Sequence, residues 1–305
     1  MGIVLLVAFI FLIVFVVVFS IIAIIFVVGL NKKTFARYDK EGCPYVAPYS
    51  YFESRYARRA FSFPSGNNTL RGYLYGEDHS GEHPKGLLVF CHGIWAIPEK
   101  YLAFLTGFID RGYLVFTYCN TGCGYSEGVN LRGLPQSPMD LNAALTYIES
   151  DEQLSQYPVV LLGHSWGAFA VTAGLNYTHH KVQAVCSMSG FHKPTEVAMD
   201  TVVATVGRIG KMVYPYVTLV QYMTFGKQSN LTAVEGINKK DIPVLITHAN
   251  QDEFIHYDIS SIISHRNEIT NPKVKYITIT AEGRNGHNTF FANEQAAEYN
   301  AKSEK

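Results

Sequence analysis

The sequence predicts an α/β fold: a mostly parallel central sheet with helices on both faces, a helical cap insertion, and a transmembrane helix at the N-terminus. Three observations carry this reading. Short apolar runs alternate with stretches of helical periodicity from residue 87 onward. Residues 193–240 break that alternation with an oily stretch that holds no clear strand. Ile3 to Leu30 carries no charge at all.

The N-terminal run comes first. Its only polar side chain is Ser20, so it lacks the polar face a soluble surface helix would show. At ~1.5 Å per residue it spans about 42 Å, more than the ~30 Å hydrocarbon core, and a tilted single pass accommodates the excess. Residues 1–30 are therefore assigned as a transmembrane helix, with the membrane as a partner through residues 3–30. A cleaved signal peptide is the rival. No Lys or Arg precedes the run, whereas Lys32, Lys33, Arg37 and Lys40 follow it. The positive-inside rule then places the C-terminal bulk in the cytoplasm. Sequons at Asn67, Asn176 and Asn230 keep a luminal or secreted alternative open. Met1-Gly2 is a poor myristoylation start, because Leu6 stands where Ser or Thr is required.

Residues 31–57 are polar and aromatic with Pro44 and Pro48, and read as a linker. Ala60–Phe63 and Leu70–Tyr75 alternate about a Ser-Gly-Asn-Asn turn and read as a hairpin. Strands follow at Leu87–Cys91, Tyr113–Tyr118, Val159–Leu162, Val182–Ser187, Ile242–Thr247 and Val274–Thr280. Leu141, Ala144, Leu145 and Ile148 recur at helical spacing, as do Ile255, Ile259, Ile262 and Ile263. The core thus comprises 58–192 and 241–305, with 193–240 as the cap.

The 305 residues include 25 basic and 25 acidic side chains, so the formal net charge is zero and nucleic acid is not an expected partner. The five cysteines, Cys43, Cys91, Cys119, Cys123 and Cys186, are odd in number and mostly lie in or beside apolar runs. Buried reduced thiols are the expectation. Cys119 and Cys123 could instead form a disulfide or half of a metal site, but no second pair stands at ligand spacing, and no metal or other cofactor is expected.

The chemistry centres on Gly163-His164-Ser165-Trp166-Gly167, a G-x-S-x-G pattern between a predicted strand and a predicted helix over Ala168–Leu175. A serine on so sharp a turn is strained, and glycines two residues away on either side relieve the crowding. A serine hydroxyl needs a base, and the base needs an orienting carboxylate. Asp252 and His287 follow the last two strands, giving the order Ser…Asp…His. Glu253 rivals the acid, and His248 and His256 rival the base. Two backbone N–H groups should hold an oxyanion: that of Trp166, and that of Ile94 in the loop after Leu87–Cys91. The Trp166 ring itself is expected to pack.

These motifs resemble the α/β-hydrolase superfamily, in its lipase, esterase and monoacylglycerol-lipase-like branch. The matching pieces are His92-Gly93, the stretch Tyr118 to Gly128, Gly163 to Gly167, Ile242-Pro243-Val244-Leu245 leading to Asp252, and Gly286-His287-Asn288. The likeness spans about residues 58 to 300. Asn120-Thr121-Gly122 departs from it, since relatives carry an aspartate and an arginine there. The resemblance implies acyl transfer, with Ser165 as nucleophile, His287 as base and Asp252 as its orienting acid. The expected protein is a membrane-anchored carboxylic ester hydrolase acting on a small-molecule or lipid ester. A peptidase or amidase on the same triad, and a non-catalytic binding protein with a hydrolase fold, are the alternatives. The sequence leaves the oligomeric state open.

Overall fold

The structure, a computed structural model, describes residues 2–39, 48–79, 81 and 83–289. Cys43, Lys40 and Pro44 therefore lie outside the described residues, as do 290–305.

Eight strands form one sheet: β1 (Arg58–Ser65), β2 (Asn68–Tyr75), β3 (Leu87–Cys91), β4 (Leu114–Tyr118), β5 (Val159–His164), β6 (Val182–Met188), β7 (Val244–Ala249) and β8 (Val274–Ile279). Their spatial order is β1-β2-β4-β3-β5-β6-β7-β8. β2 runs antiparallel to both its neighbours, and every other pairing is parallel. Each apolar run expected from the sequence is a strand, shifted by at most two residues at either end.

The helices are α1 (Gly2–Thr34), α2 (Leu102–Ile109), α3 (Gln136–Ser150), α4 (Trp166–Ala173), α5 (Pro194–Val206), α6 (Tyr214–Phe225) and α7 (Ala233–Lys239). Two-residue alternation splits each central strand between two cores. Leu87, Val89 and Cys91 of β3 join the core of Leu141, Leu145, Val171 and Ile237. Leu88 and Phe90 turn the other way, towards Leu102, Leu105 and Ile109 of α2. Helices therefore cover both faces.

Three boundaries differ from the sequence reading. The stretch 193–240 is not all cap-like in its packing: Ala233 and Ile237 of α7 are fully buried in the main core. The isoleucines at 255–263 do not form an α-helix. Ile255, Ile262 and Ile263 are buried one at a time along a series of turns that ends in a 3-10 turn at Ile263–Glu268, while Ile259 stays exposed. Helical spacing arose there without a helix.

The third difference concerns the linker. α1 continues to Thr34, and the chain beyond it docks on the core. Ala36 and Tyr38 bridge to Asn130 and Cys123. The Arg37 guanidinium donates to the carbonyls of Ser126, Gly128 and Gly124 at 2.7–3.0 Å. Phe52 and Tyr56 are buried against β2 and α2. Aromatic residues that read as linker composition are packing anchors.

α1 meets the length and hydropathy expected of a membrane-crossing helix. Its first half is bare, and its second half packs on the cap. Val27 joins Val217 and Val220 of α6 in one apolar cluster, and Ser20 shares a 2.7 Å hydrogen bond with the Tyr216 hydroxyl.

Candidate active site

Ser165 lies between β5 and α4 at φ 57°, ψ −115°, a conformation that side chains rarely adopt. The flanking glycines are what allow it. A Cβ at Gly163 would run into the Gly167 carbonyl, and a Cβ at Gly167 into the Cys91 carbonyl. The turn is held by the Ser165 amide, which donates to Met188 O at 2.8 Å.

The parallel sheet brings the loops after β7 and β8 to this same edge. His287 Nε2 stands 2.9 Å from Ser165 Oγ, and His287 Nδ1 stands 2.7 Å from Asp252 Oδ2. The three side chains, distant in sequence, form one hydrogen-bonded line. All three are at least nine-tenths buried.

Asp252 is held as a carboxylate. Burial pushes its pKa up, but hydrogen bonds from His248 and His287 and from the Ile255 amide outweigh burial and hold it well below the usual range. Oδ1 accepts the Phe254 and Ile255 amides at 3.0 and 2.8 Å, which leaves Oδ2 for the imidazole.

The rival residues take other places. His248 lies inside β7, fully buried, and shares its Nε2–H between Ile255 O at 2.9 Å and Asp252 Oδ2 at 3.2 Å. It supports the acid. Glu253 accepts the His287 amide through Oε2 at 3.2 Å, holding the backbone of the histidine loop. His256 pairs with Asp200 at 2.7 Å on the cap side.

The roles of His164, Tyr101 and His92 escaped the sequence reading. His164 Nε2 donates to His287 O at 3.0 Å, so its Nδ1 accepts from the Tyr101 hydroxyl at 2.9 Å. The Gly93 amide in turn donates to the Tyr101 oxygen at 3.2 Å. Burial, and then the neighbouring His287, push the His164 pKa well down, so the ring is neutral and this tautomer is consistent. The middle letter of G-x-S-x-G gives no sign of such a tether. His92, also fully buried, uses Nδ1 to donate to Gly93 O at 2.7 Å and accepts the Asn120 amide at Nε2 at 3.1 Å. Asn120 thus locks the loop after β3.

That loop passes beside the serine. A Cβ on Gly93 would lie 3.4 Å from Ser165 Cβ. The amides of Ile94 and Trp166 meet no acceptor among the described residues, and both residues line the cavity over Ser165. The Trp166 ring is buried, and its Nε1 donates to Leu134 O at 2.7 Å. Cys119 and Cys123 are separate buried thiols, and burial pushes Cys119 up to about 12.

The cavity holds about 350 Å³. Ser165 and His287 are among its lining residues. Its walls come from Phe191, from Val197 and Val202 of α5, from Val217 of α6, and from Val27, Leu30 and Thr34 of α1. The Trp95 indole seals the α1 contact by donating to Thr34 O at 2.9 Å. Among the polar groups of the lining, Gln221 Oε1 is buried without a hydrogen-bond partner among the described residues.

The family model described as Hydrolase_4, serine aminopeptidase, S33, matches residues 82–234. The chain belongs to this S33 hydrolase family. It is therefore a hydrolase of the α/β-hydrolase superfamily, as the motifs implied. Among solved structures, the Pyrococcus furiosus esterase Pf2001 is similar at a TM-score of 0.59 and 16% identity, over 85% of this chain and 94% of the esterase. Est1E from Butyrivibrio proteoclasticus, bound to ferulic acid, matches at TM-score 0.56 and 16% identity, over 80% of this chain and 96% of that one. An acylaminoacyl peptidase from Pyrococcus horikoshii matches at TM-score 0.57 and 16% identity, over 84% of this chain and 42% of the peptidase. At such identities the likeness speaks to fold alone. No curated protein matches this S33 chain.

Proposed function

We propose that this S33 hydrolase is a membrane-anchored serine esterase that cleaves lipid-derived carboxylic esters. The observation that carries the chemistry is the unbroken line from Ser165 Oγ through His287 to Asp252. Ser165 Oγ attacks the ester carbonyl while His287 Nε2 takes its proton. Asp252 holds the imidazole in the tautomer that accepts at Nε2 and stabilises the imidazolium that forms. The Ile94 and Trp166 amides receive the developing oxyanion. His287 then returns the proton to the departing alcohol. The acyl-enzyme is released when His287 activates a water by the same route in reverse.

The cavity supports the lipid preference. Its walls are mostly apolar, and α1, read as the membrane anchor, supplies one of them. About 20 residues suffice to cross the bilayer, so the run from Ile3 leaves the segment around Ala23–Leu30 to lie against α6 and the cavity. In this arrangement an acyl chain passes from the bilayer surface along α1 towards Ser165. Val206, Ile209, Met212 and Met223 of the cap are exposed apolar side chains available to the bilayer surface in this reading. The peptidase reading is less well supported: among the described lining residues none is a carboxylate that would bind a substrate amine.

A panel of p-nitrophenyl esters from acetyl to long acyl, run beside aminoacyl and peptide p-nitroanilides, tests the proposal. Rates that rise with acyl length and exceed those of the anilides are expected. Rates that fall with chain length contradict the lipid substrate, and faster anilide cleavage contradicts the esterase.

A further inference from the structure

We propose that Trp95 is a positioning residue of the oxyanion site: bonded through its indole to the last carbonyl of α1, it fixes the loop that offers the Ile94 amide. The inference rests on the reading of Ile94 and Trp166 as oxyanion donors. It makes the end of the proposed membrane helix a support of the hydrolytic site.

Two independent observations single out this residue. The first is its backbone. Trp95 lies at φ 54°, in the left-handed region that a bulky side chain enters only under strain. Glycine would meet that demand without strain. What tryptophan adds is not burial, since the residue is 45% exposed. It adds an N–H.

The second observation is where that N–H goes. Nε1 donates to Thr34 O at 2.9 Å. Thr34 ends α1, and the carbonyls of a last helical turn have no donor within the helix. Just beyond it the chain is fastened to the core. The Leu131 amide donates to Phe35 O at 2.8 Å, the Tyr38 amide to Gly122 O at 3.0 Å, and the Arg37 guanidinium to the carbonyls of Gly124, Ser126 and Gly128. The indole therefore grips a fixed point.

These ties bear on Ile94. On one side of it Gly93 O accepts from His92 Nδ1 at 2.7 Å, and on the other Ala96 O accepts from the Cys123 thiol at 2.9 Å. With both flanks held, a change of φ at Trp95 has to be taken up at Ile94. The peptide unit that carries the Ile94 N–H then tilts about its bond to His92. An oxyanion donor acts only from the position that faces the developing charge, so such a tilt weakens it. Ile94, Trp95 and Thr34 all line the cavity that holds Ser165. Sequence spacing cannot show the device, because the indole bonds a backbone atom 61 residues away.

The test compares full-length wild type, Trp95→Phe and Trp95→Gly in detergent micelles, with p-nitrophenyl acetate as substrate and an alkyl trifluoromethyl ketone as inhibitor. Ser165 Oγ adds to the ketone carbon, the carbonyl oxygen becomes the oxyanion, and the serine proton passes to His287, so ketone affinity reads the oxyanion site. Trp95→Phe keeps a ring and loses the N–H; Trp95→Gly relieves the backbone and loses the indole. Both should lose about tenfold in kcat with KM within about twofold, and should bind the ketone about tenfold more weakly. Circular dichroism checks that the variants are folded; should Trp95→Phe not fold, Trp95→Gly, free of the strain, carries the comparison. Folded variants with wild-type kcat, a rise in KM alone, or a fall in kcat without the matching loss of ketone affinity overturn the proposal. A wild type that neither cleaves the ester nor binds the ketone overturns the esterase reading, and this inference with it.

Discussion

Ser165 is held in a conformation that no local preference favours, and the neighbouring residues are chosen to tolerate it. This is why the nucleophile candidate was legible: strain needs glycines, and the glycines show at fixed offsets in the sequence. Asp252 and His287 were legible because strand order fixes which loops share an edge with β5. The residues that hold them were not. His164 and Glu253 bond to backbone atoms of the distant histidine loop, and Tyr101 bonds to the His164 ring; such bonds leave no spacing signature. His92 gives a prediction at this scale. Burial pushes its pKa down to about 4, while the unfolded chain titrates near ~6.5. Between those values the unfolded state binds the extra proton, so stability is full above about 6.5 and falls as pH drops towards 4. Urea unfolding across that window should show wild type losing up to about 1.4 kcal/mol more per pH unit than His92→Gln. Parallel slopes would mean that His92 is not neutral in the folded protein.

At the scale of elements, the strands read well and the helices unevenly. A buried strand announces itself as a short apolar run bounded by turns, as Leu87–Cys91 and Leu114–Tyr118 do. The turns at 255–263 imitated a helix because isolated buried isoleucines fell three and four residues apart. α7 was assigned to the cap because its apolar residues are indistinguishable by type from those of α6. Only packing shows that Ala233 and Ile237 face the core whereas Val217 faces α1. α1 itself was read as a tether, but its last turns also wall the cavity. Replacing Leu30 by Trp should narrow the cavity and with it the proposed acyl path. We expect kcat/KM for long-chain esters to fall about tenfold while acetyl ester hydrolysis stays within about twofold. An equal loss on both would place the effect at the reacting centre and not along the chain path.

For the whole molecule, the anchor and the site form one device in the proposed reading: the helix that would hold the protein at the bilayer also borders the route to Ser165. Two measurements bear on this arrangement. After carbonate extraction the full-length protein should remain with the membranes, and a chain released to the supernatant would refute a spanning α1. Glycan analysis tests orientation. Asn67 and Asn230 are exposed sequons, whereas both amide hydrogens of Asn176 are taken up by the Ala173 and Thr232 carbonyls. With the domain in the cytoplasm, endoglycosidase treatment should leave the apparent mass unchanged. A shift abolished by Asn67→Gln and Asn230→Gln would place the domain in the lumen.

The proposed chemistry rests on one hydroxyl made nucleophilic by its neighbour, and a fluorophosphonate probe reads that directly. Full-length protein treated with the probe should carry a single adduct that peptide mapping assigns to Ser165, absent from a folded Ser165→Ala variant and strongly slowed in His287→Ala. An adduct on another residue, or undiminished labelling of Ser165→Ala, would contradict the assignment of Ser165 as the nucleophile.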